Sequence, residues 1–252
     1  MKSFRWRLYW RDLIFTFLLF SCQRTWQPSQ QLRPEAKLPV NAAVAADMAT
    51  ESMIVPYRQK VEQHMQEVIG TAPVELKSNF VESSLGNFVA DLQRSQAATL
   101  LGKPVDMGLM TKGGLRYIIP QGKITIGDVF ELMPFENELL VLTLSGSTVE
   151  KLFQFGAKTK ILSVSNASFT LQNGQATNIL IGGQPLDTQK IYTLAISDYL
   201  ANGGDNLSFL KEAIKTEKAG ILLREAIIQH IQQLTAQGKP VEAHVEGRVK
   251  VM

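Results

Sequence analysis

The sequence predicts an α+β fold, a mixed β-sheet with flanking helices, and three observations support this class. Short β-favouring runs adjoin one another around turn residues, as they do in hairpins. Apolar residues recur at helical spacing near both ends of the folded part. Strands and helices do not alternate regularly, as a βαβ protein would require. A composition of 45% hydrophobic and 19% charged residues in a chain of 252 excludes disorder as a whole-chain description.

Four segments carry the apolar stripe of an amphipathic helix. In the first, Ile54, Tyr57, Val61 and Met65 recur at helical spacing among charged residues. The second begins at a capping serine, Ser83 or Ser84, and ends near Gly102. The predicted helices are 50–69, 84–102, 148–155 and 219–234.

Seven runs are typical of strands, each bounded by glycine, proline, asparagine or serine. The clearest hairpin signal is Asn173-Gly174, which lies between two apolar-alternating runs in a loop longer than two residues. The predicted strands are 105–110, 123–126, 139–144, 167–171, 177–181, 191–196 and 247–251.

The amino-terminal segment indicates export. An apolar run of eight residues, 13–20, follows a basic stretch and has about half the ~18 to 20 residues that a membrane-spanning helix needs. Leu19-Phe20-Ser21-Cys22 resembles a bacterial lipobox, and Cys22 is the single cysteine of the chain. We therefore predict a lipoprotein signal peptide (1–21), a flexible tether (22–48) and a folded domain (49–252), anchored to a membrane through lipid on Cys22. The alternative is a plain secretory signal or an uncleaved anchor.

Either interpretation places the protein outside the cytoplasm, as a periplasm-facing or surface component of the cell envelope.

Removal of the signal peptide also removes the net charge. The formal charge of +3 comes from 26 basic and 23 acidic residues, and residues 1–21 hold four of the basic and one of the acidic groups. The remaining chain is neutral and has no lysine or arginine run, so we expect no nucleic-acid partner.

Residues for catalysis are scarce. The three histidines, His64, His230 and His244, are isolated from one another and from other metal-ligand motifs. A two-metal phosphoesterase centre needs roughly half a dozen His, Asp and Asn ligands, and no cluster in the sequence provides them. No G-x-S-x-G elbow or Walker loop occurs either. We therefore expect no cofactor or metal in this chain, which by itself would do no chemistry.

Three loop motifs remain as candidates for binding. Thr111-Lys-Gly-Gly114-Leu-Arg116 offers a close backbone approach and a guanidinium for phosphate or hydroxyl groups. Pro134-Phe135-Glu-Asn137 presents an aromatic ring before a strand, and Tyr199-Leu-Ala-Asn202-Gly-Gly-Asp205 joins an aromatic ring to a carboxylate. The alternative from spacing alone is that these rings belong to the core or its rim and that the glycines form plain turns.

Six ordered motifs between about residue 50 and the end of the chain, closed by a seventh, carry a family resemblance. They are Glu82-Ser-Ser-Leu-Gly86-Asn87, Gly113-Gly114-Leu-Arg116, Ile124-Thr-Ile-Gly-Asp128, Met133-Pro-Phe135-Glu-Asn137, Leu144-Ser-Gly146, Tyr199-Leu-Ala-Asn-Gly-Gly-Asp205 and Val245-Glu-Gly-Arg248. Together they resemble the carboxy-terminal domain of the 5′-nucleotidase family. Asn-Gly-Gly-Asp after an aromatic residue is the most specific of them.

The resemblance implies a nucleoside pocket beside a two-metal phosphoesterase domain. Carried over to this sequence, it implies that Phe135 and Tyr199 sandwich the base, that Asp205 accepts hydrogen bonds from the ribose, and that Arg116 faces ribose and phosphate. The remaining residues that the resemblance places in the substrate site are Gly114, Asn202, Thr111 and Asn79.

The sequence departs from the family pattern at three positions. Asn79 stands where the family usually has a second arginine, Thr111 replaces an asparagine that often reads the base, and Asn166 lies where a glycine commonly approaches it. Phosphate recognition is the function that these departures weaken most, because a lost charge-assisted contact costs about 1.5 to 3 kcal/mol.

Three hypotheses follow for the function. The first is the base- and ribose-binding half of a split 5′-nucleotidase, whose partner, a separate metallophosphoesterase chain, holds the divalent metals. The second is a lipid-tethered module that binds a nucleoside or nucleotide without a catalytic partner. The third is a degenerate surface domain with an interaction role and no ligand.

Overall fold

The computed structural model describes residues 45–252, which form a compact unit from Ala49 onward. Cys22, the signal peptide and residues 22–44 of the tether lie outside the described residues. The first helix, α1, is Met48–Met65 and buries none of its residues. It leads into a two-stranded antiparallel sheet of β1 (Val68–Ala72) and β3 (Gly122–Thr125).

A five-stranded mixed sheet is the centre of the domain. Its strands are β2 (Met107–Thr111), β4 (Glu138–Ser145), β5 (Leu162–Ser165), β9 (Ile191–Ser197) and β10 (Lys215–Leu222), in the order β10-β4-β9-β2-β5. Only β2 and β9 run parallel, whereas the other neighbours are antiparallel. The predicted α+β class with a mixed sheet is confirmed.

A four-stranded sheet packs beyond the five-stranded one. It has the order β11-β6-β7-β8, with strands β6 (Ala167–Gln172), β7 (Gln175–Ile181), β8 (Gln184–Pro185) and β11 (Val249–Val251). The β6–β7 loop consists of Asn173 and Gly174 alone, at φ 50° and 75°. It is therefore shorter than the sequence suggested, and both residues adopt the left-handed conformation that a two-residue hairpin turn requires.

Helices cover these sheets. They are α2 (Ser84–Leu101), α3 (Ile126–Leu132), α4 (Gly146–Thr159), the short α5 (Asp198–Ala201) and α6 (Leu223–Ala236). Ser83, rather than Ser84, caps α2 by accepting a hydrogen bond from the Gly86 amide, and Gly102 ends the helix at φ 64°. Both ends thus follow the capping chemistry on which the prediction was based.

Two apolar clusters hold these layers together. In one, α4 packs between the five- and four-stranded sheets, with Phe153 edge-on to Phe169 at 5.4 Å between ring centroids. In the other, α2, α3 and α6 pack against β1 and β3. In the second cluster the start of α6 packs against the end of α3, next to the loop that leads into β4. No helix within residues 45–252 has both the length and the apolar character of a membrane span.

Strands β1, β5, β8 and β10 were not among the predicted strands, and several predicted boundaries were wrong. Residues 219–222, predicted as helical, form the end of β10, and α6 begins only at Leu223. Residues 68–69, predicted as the end of the first helix, start β1. Ile126, predicted as the end of a strand, opens α3 instead, because Thr125 and Asp128 form a reciprocal capping box. The spacing Thr125-x-x-Asp128 is the sequence pattern of a capping box and could have predicted this helix start.

Candidate functional site

Three loops lie at the same end of the five-stranded sheet, where β2 and β9 finish and β4 begins. Strands β2 and β9 are parallel and both end there, and β4 starts there because Leu139 pairs with Ser197. We name them the Gly113 loop (112–116, after β2), the Phe135 loop (133–137, before β4) and the Tyr199 loop (198–206, after β9). The sheet therefore assembles the three predicted binding motifs from distant parts of the sequence.

The Tyr199 loop is held by its own residues. The Tyr199 hydroxyl donates to Oδ1 of Asp205 at 3.1 Å, and the ring is 51% exposed. A Cβ at Gly204 would lie 2.5 Å from a ring carbon of Tyr199, so only glycine lets the backbone pack this closely on the ring. Gly203 and Asp205 have φ of 90° and 50°, which gives the loop its tight turn. The predicted pair of Tyr199 and Asp205 is thus brought together.

A cavity of about 350 Å³ opens between the Tyr199 and Gly113 loops. A Cβ at Gly113 would lie 3.4 Å from Oδ2 of Asp205, so the two loops approach each other closely. The Lys112 ammonium sits 4.8 Å from the centre of the Phe80 ring, in a cation–π contact. The cavity is lined by Phe80, Lys112, Gly113, Ile161, Asp205 and Asn206.

Lys112 and Phe80 are site residues that sequence reasoning missed. Lys112 lies inside the quoted Thr-Lys-Gly-Gly motif but was not assigned a role, and Phe80 adjoins Asn79. Both residues line the cavity together with Asp205. The cavity therefore contains the ammonium group of Lys112 as well as the carboxylate of Asp205. The signal that could have identified Lys112 is its position beside the glycine pair. Nothing local in the sequence marks Phe80, which is 57% exposed.

The Phe135 loop lies beside this cavity without lining it. Phe135 is 40% exposed. The Gly113 loop is bonded to the last residue of α3, directly before the Phe135 loop, because the Arg116 amide donates to the Leu132 carbonyl at 2.9 Å. The Arg116 side chain is exposed and forms no hydrogen bond or ion pair with any residue in 45–252. Phe135 and Arg116 therefore offer free surface to a ligand.

The other predicted binding residues differ in accessibility. Asn79 and Asn202 are exposed, and Gly114 is partly buried against Met110. Thr111 is only 1% exposed, and its Oγ1 has no hydrogen-bond partner among the described residues. Direct reading of a base by Thr111 would require the loop to move, and the binding roles of all four stay predictions.

Asn166 lies away from the three loops. It forms the turn between β5 and β6 at φ 54°, and its Nδ2 donates to the Asp106 carbonyl at 2.8 Å. Asp106 precedes β2, whereas the Gly113 loop follows it, so Asn166 is at the opposite end of that strand. Asparagine adopts such a left-handed φ more readily than most residues other than glycine do. The relation of this position to a bound base stays a prediction.

The site presents groups that suit the binding of a ligand. The site offers three exposed aromatic rings, those of Phe80, Phe135 and Tyr199. It also offers the carboxylate of Asp205 and the cationic side chains of Lys112 and Arg116. Within residues 45–252, no group of three or more His, Cys, Asp or Glu side chains could hold a metal ion. Aromatic faces and a carboxylate are the groups that recognise a flat heterocycle joined to a diol.

Comparison with known proteins agrees with this chemistry. Residues 68–212 match the family model of the 5′-nucleotidase C-terminal domain. Protein UshA of Yersinia enterocolitica is 27% identical over 200 residues, covering 75% of this chain and 35% of that protein. Cell wall protein Lmo0130 of Listeria monocytogenes is 28% identical over 243 residues, covering 85% of this chain and 31% of that protein.

A solved structure extends the likeness to three dimensions. The 5′-nucleotidase precursor from Thermus thermophilus superposes with a TM-score of 0.69 at 30% identity, over 82% of this chain and 43% of that one. The chain thus spans about a third of these two curated relatives and under half of this structure. From the family match, the motifs and the fold together, the chain belongs to the 5′-nucleotidase C-terminal domain family.

Proposed function

We propose that this domain is the nucleotide-recognition part of a split 5′-nucleotidase, acting in nucleotide catabolism. It binds the base and ribose while a separate metallophosphoesterase chain, carrying the divalent metals, hydrolyses the 5′-phosphate. The observation that carries the proposal is the pairing of Tyr199 with Asp205 at a cavity beside the Gly113 loop. This pairing combines a stacking surface with an acceptor for ribose hydroxyls.

The energetics of such a site favour the nucleoside part of the ligand. Stacking of a base on an aromatic side chain contributes about 1 to 3 kcal/mol. Oδ2 of Asp205 stays available to a ribose hydroxyl while Oδ1 accepts from Tyr199. In this proposal Arg116 and Lys112 together receive the phosphate, and Lys112 makes up for the charge that Asn79 lacks.

The catalytic partner is proposed from the matched relatives and from helix α1. The match covers 35% of protein UshA and 43% of the Thermus thermophilus structure, so each of these proteins has further residues outside the matched region. Helix α1 supports a partner because its apolar residues Ile54, Tyr57 and Val61 are exposed by 41%, 73% and 55%. We propose that the metallophosphoesterase chain packs on this face, as an interdomain surface would within one polypeptide.

The location is proposed as the cell envelope. The signal-like segment and Cys22 support export and lipid anchoring. One relative bears the name cell wall protein, which agrees with an exported domain. Metabolic labelling with a palmitate analogue, compared between the wild-type chain and Cys22→Ser, tests the anchor. Equal labelling of the two would contradict it.

The division of labour is tested by hydrolysis of AMP. The purified full chain with added Mn²⁺ should release no phosphate, and addition of the metallophosphoesterase chain that co-purifies with it from envelope extracts should start the reaction. In the pair, Phe135→Ala with Tyr199→Ala should raise the KM for AMP at least about tenfold, from the loss of stacking. Hydrolysis of bis(p-nitrophenyl) phosphate, which lacks base and ribose, should stay unchanged. Release of phosphate by the chain alone would contradict the division.

A second candidate function is a nucleoside-binding module without a catalytic partner. It is favoured by the Tyr199–Asp205 pair and its cavity, which are complete within this chain. Calorimetry with adenosine tests it: binding that survives Arg116→Ala but not the double aromatic variant indicates recognition by stacking. Absence of adenosine binding by the wild-type chain would leave the third hypothesis, a surface domain without ligand.

A further inference from the structure

Arg224 lies directly beneath the Phe135 loop. It is in the first turn of α6, only 8% exposed, and its Nη1 donates to the carbonyls of Met133 and Phe135 at 3.4 and 3.3 Å. Its guanidinium carbon is 4.2 Å from the centre of the Phe130 ring. One side chain therefore bonds to the loop on both sides of Pro134 and packs on the helix that precedes it.

This location is unfavourable for a cation unless the contacts compensate. A buried charge loses its hydration, and the amino-terminal turn of a helix carries a partial positive charge of its own. The nearest carboxylate, on Glu136, is 3.9 Å away and 82% exposed, so it neutralises the charge weakly. Replacing a buried charge by a well-packed apolar side chain is often neutral or stabilising, so the charge itself is weak evidence for a role in stability. What the arginine provides is one Nη1 amino group that donates to two loop carbonyls at once.

We infer that Arg224 is a positioning residue for recognition of the base, since it fixes the backbone from which Phe135 projects. The inference rests on the proposed function in assigning the base to Phe135, but the hold on the loop is a property of the chain alone. The adjoining backbone bond supports it: the Leu223 amide donates to the Asn137 carbonyl at 2.8 Å. The start of α6 thus contacts the loop on both sides of the ring.

Limited proteolysis of the full chain tests the hold on the loop without any ligand. Chymotrypsin cleaves after exposed aromatic residues, so the rate after Phe135 is measured by mass spectrometry against the rate after Tyr117, which is 47% exposed in another loop. Arg224→Met should raise this ratio at least about tenfold, because the loop opens locally. Arg224→Lys, which keeps the charge but loses the planar guanidinium that packs on the Phe130 ring, should raise it about threefold.

A matched control comes from another partly buried arginine. Arg94 donates through Nε to Ser165 Oγ at 2.9 Å and contacts no residue of the Phe135 loop through a hydrogen bond. Arg94→Met should leave the cleavage ratio unchanged. An unchanged ratio in Arg224→Met would overturn the inference. Should Arg224→Met fail to fold, Arg224→Lys decides, and a ratio equal to that of the wild-type chain would overturn it.

A ligand experiment separates this inference from the proposed function. Arg224→Met should weaken adenosine binding about tenfold and leave the affinity for ribose 5-phosphate within about twofold, because only the base contacts Phe135. Equal losses for both ligands would indicate a merely structural role and would contradict the inference. A wild-type chain that binds no adenosine would contradict the proposed function, and the cleavage ratio would still decide whether Arg224 holds the loop.

Discussion

The two loops that present aromatic rings are held in opposite ways. The Tyr199 loop depends on neighbours within six residues, through the Tyr199 hydroxyl, Gly204 and Asp205. The Phe135 loop depends on Arg224, whose bond to the Phe135 carbonyl spans 89 positions of the sequence. A locally held loop keeps its geometry as long as its own residues are intact. A remotely held one follows any movement of the helix beneath it.

The largest effect on the locally held loop should come from Asp205→Ala. This change removes the acceptor for Tyr199 and for a ribose, and it places alanine at a φ of 50°, where asparagine or aspartate is tolerated better. Loss of hydrogen bonds to a charged group costs about 1.5 to 3 kcal/mol, so calorimetry should find adenosine binding weakened about 10- to 100-fold.

Asn206→Ala is the matched control for that variant. Asn206 has a similar backbone conformation, φ 67°, and lines the same cavity, but it carries no charge. It should share the backbone strain and keep most of the affinity for adenosine. Equal losses in the two variants would show that backbone strain, not the carboxylate, is responsible.

Gly204→Ala should have the next largest effect. Its new Cβ would lie 2.5 Å from the Tyr199 ring, which must therefore move out of its place in the loop. We expect about a tenfold loss of adenosine affinity, the value of one disturbed stacking contact. The melting temperature should change little, because the ring is half exposed.

Gly113→Ala provides the comparison from the facing loop. Its Cβ would stand 3.4 Å from Asp205 Oδ2, an ordinary contact, so the loss should be smaller than for Gly204→Ala. The reverse order of the two affinities would contradict the view that ring placement depends on Gly204.

Tyr199→Phe should change little. The ring and its stacking remain, and the variant loses the two exposed hydrogen bonds of the hydroxyl, one donated to Asp205 Oδ1 at 3.1 Å and one accepted from the Asp205 amide at 3.4 Å. Water can replace both at this exposed position, so the net loss is small. Part of this loss is recovered because Asp205 Oδ1 becomes free for the ribose. Adenosine affinity measured by calorimetry should stay within about threefold of the wild-type value. A loss as large as that of Asp205→Ala would mean that the Tyr199 hydroxyl itself recognises the ligand.

The smallest expected effect is a change of the free energy of unfolding with pH. It arises from His230 in α6, the helix that also carries Arg224 and so holds the Phe135 loop. Burial lowers the pKa of His230 in this helix, and the charge of Asp91 opposes the shift only in part. The unfolded chain therefore takes up the proton more readily than the folded one. The stability that neutral His230 contributes is complete above the unfolded pKa of about 6.5 and is lost as the pH falls through the lower folded-state pKa.

Urea unfolding at two pH values measures this dependence. The free energy of unfolding of the wild-type chain should fall between pH 7.5 and 5.0, and His230→Gln should reduce the fall. An identical pH dependence in His230→Gln and wild type would contradict the assignment to His230.

The difference between the loops also explains how far the sequence could predict the site. Tyr199 and Asp205 were predicted together because the residues that hold them are adjacent in the chain. Arg224 could not be found in this way, since its role appears only when β4 and α6 are brought together. The same holds for Phe80 and Ile161, which line the cavity from distant segments.

The secondary structure shows the same difference between elements that local sequence determines and elements that distant pairing determines. Ser83, Gly102 and the Asn173-Gly174 turn obey local rules, and the elements that they bound were predicted. Strand β10 was missed because Lys215 to Leu222 alternates poorly between polar and apolar residues and lies in the sheet only through its pairing with β4. Pairing partners 70 or more residues apart are set by tertiary packing, which periodicity alone does not report.

The irregular sequence of β10 also protects the sheet edge against pairing with a strand of another molecule. This strand is the outer edge of the five-stranded sheet, where unpaired amide and carbonyl groups could recruit a strand from another molecule. Its register shifts between Lys218 and Leu222, at a glycine with φ 78°, and Lys215 and Lys218 are exposed along it. A kinked, lysine-bearing edge resists intermolecular β-sheet growth. The domain can thereby reach high concentration without aggregating through this edge.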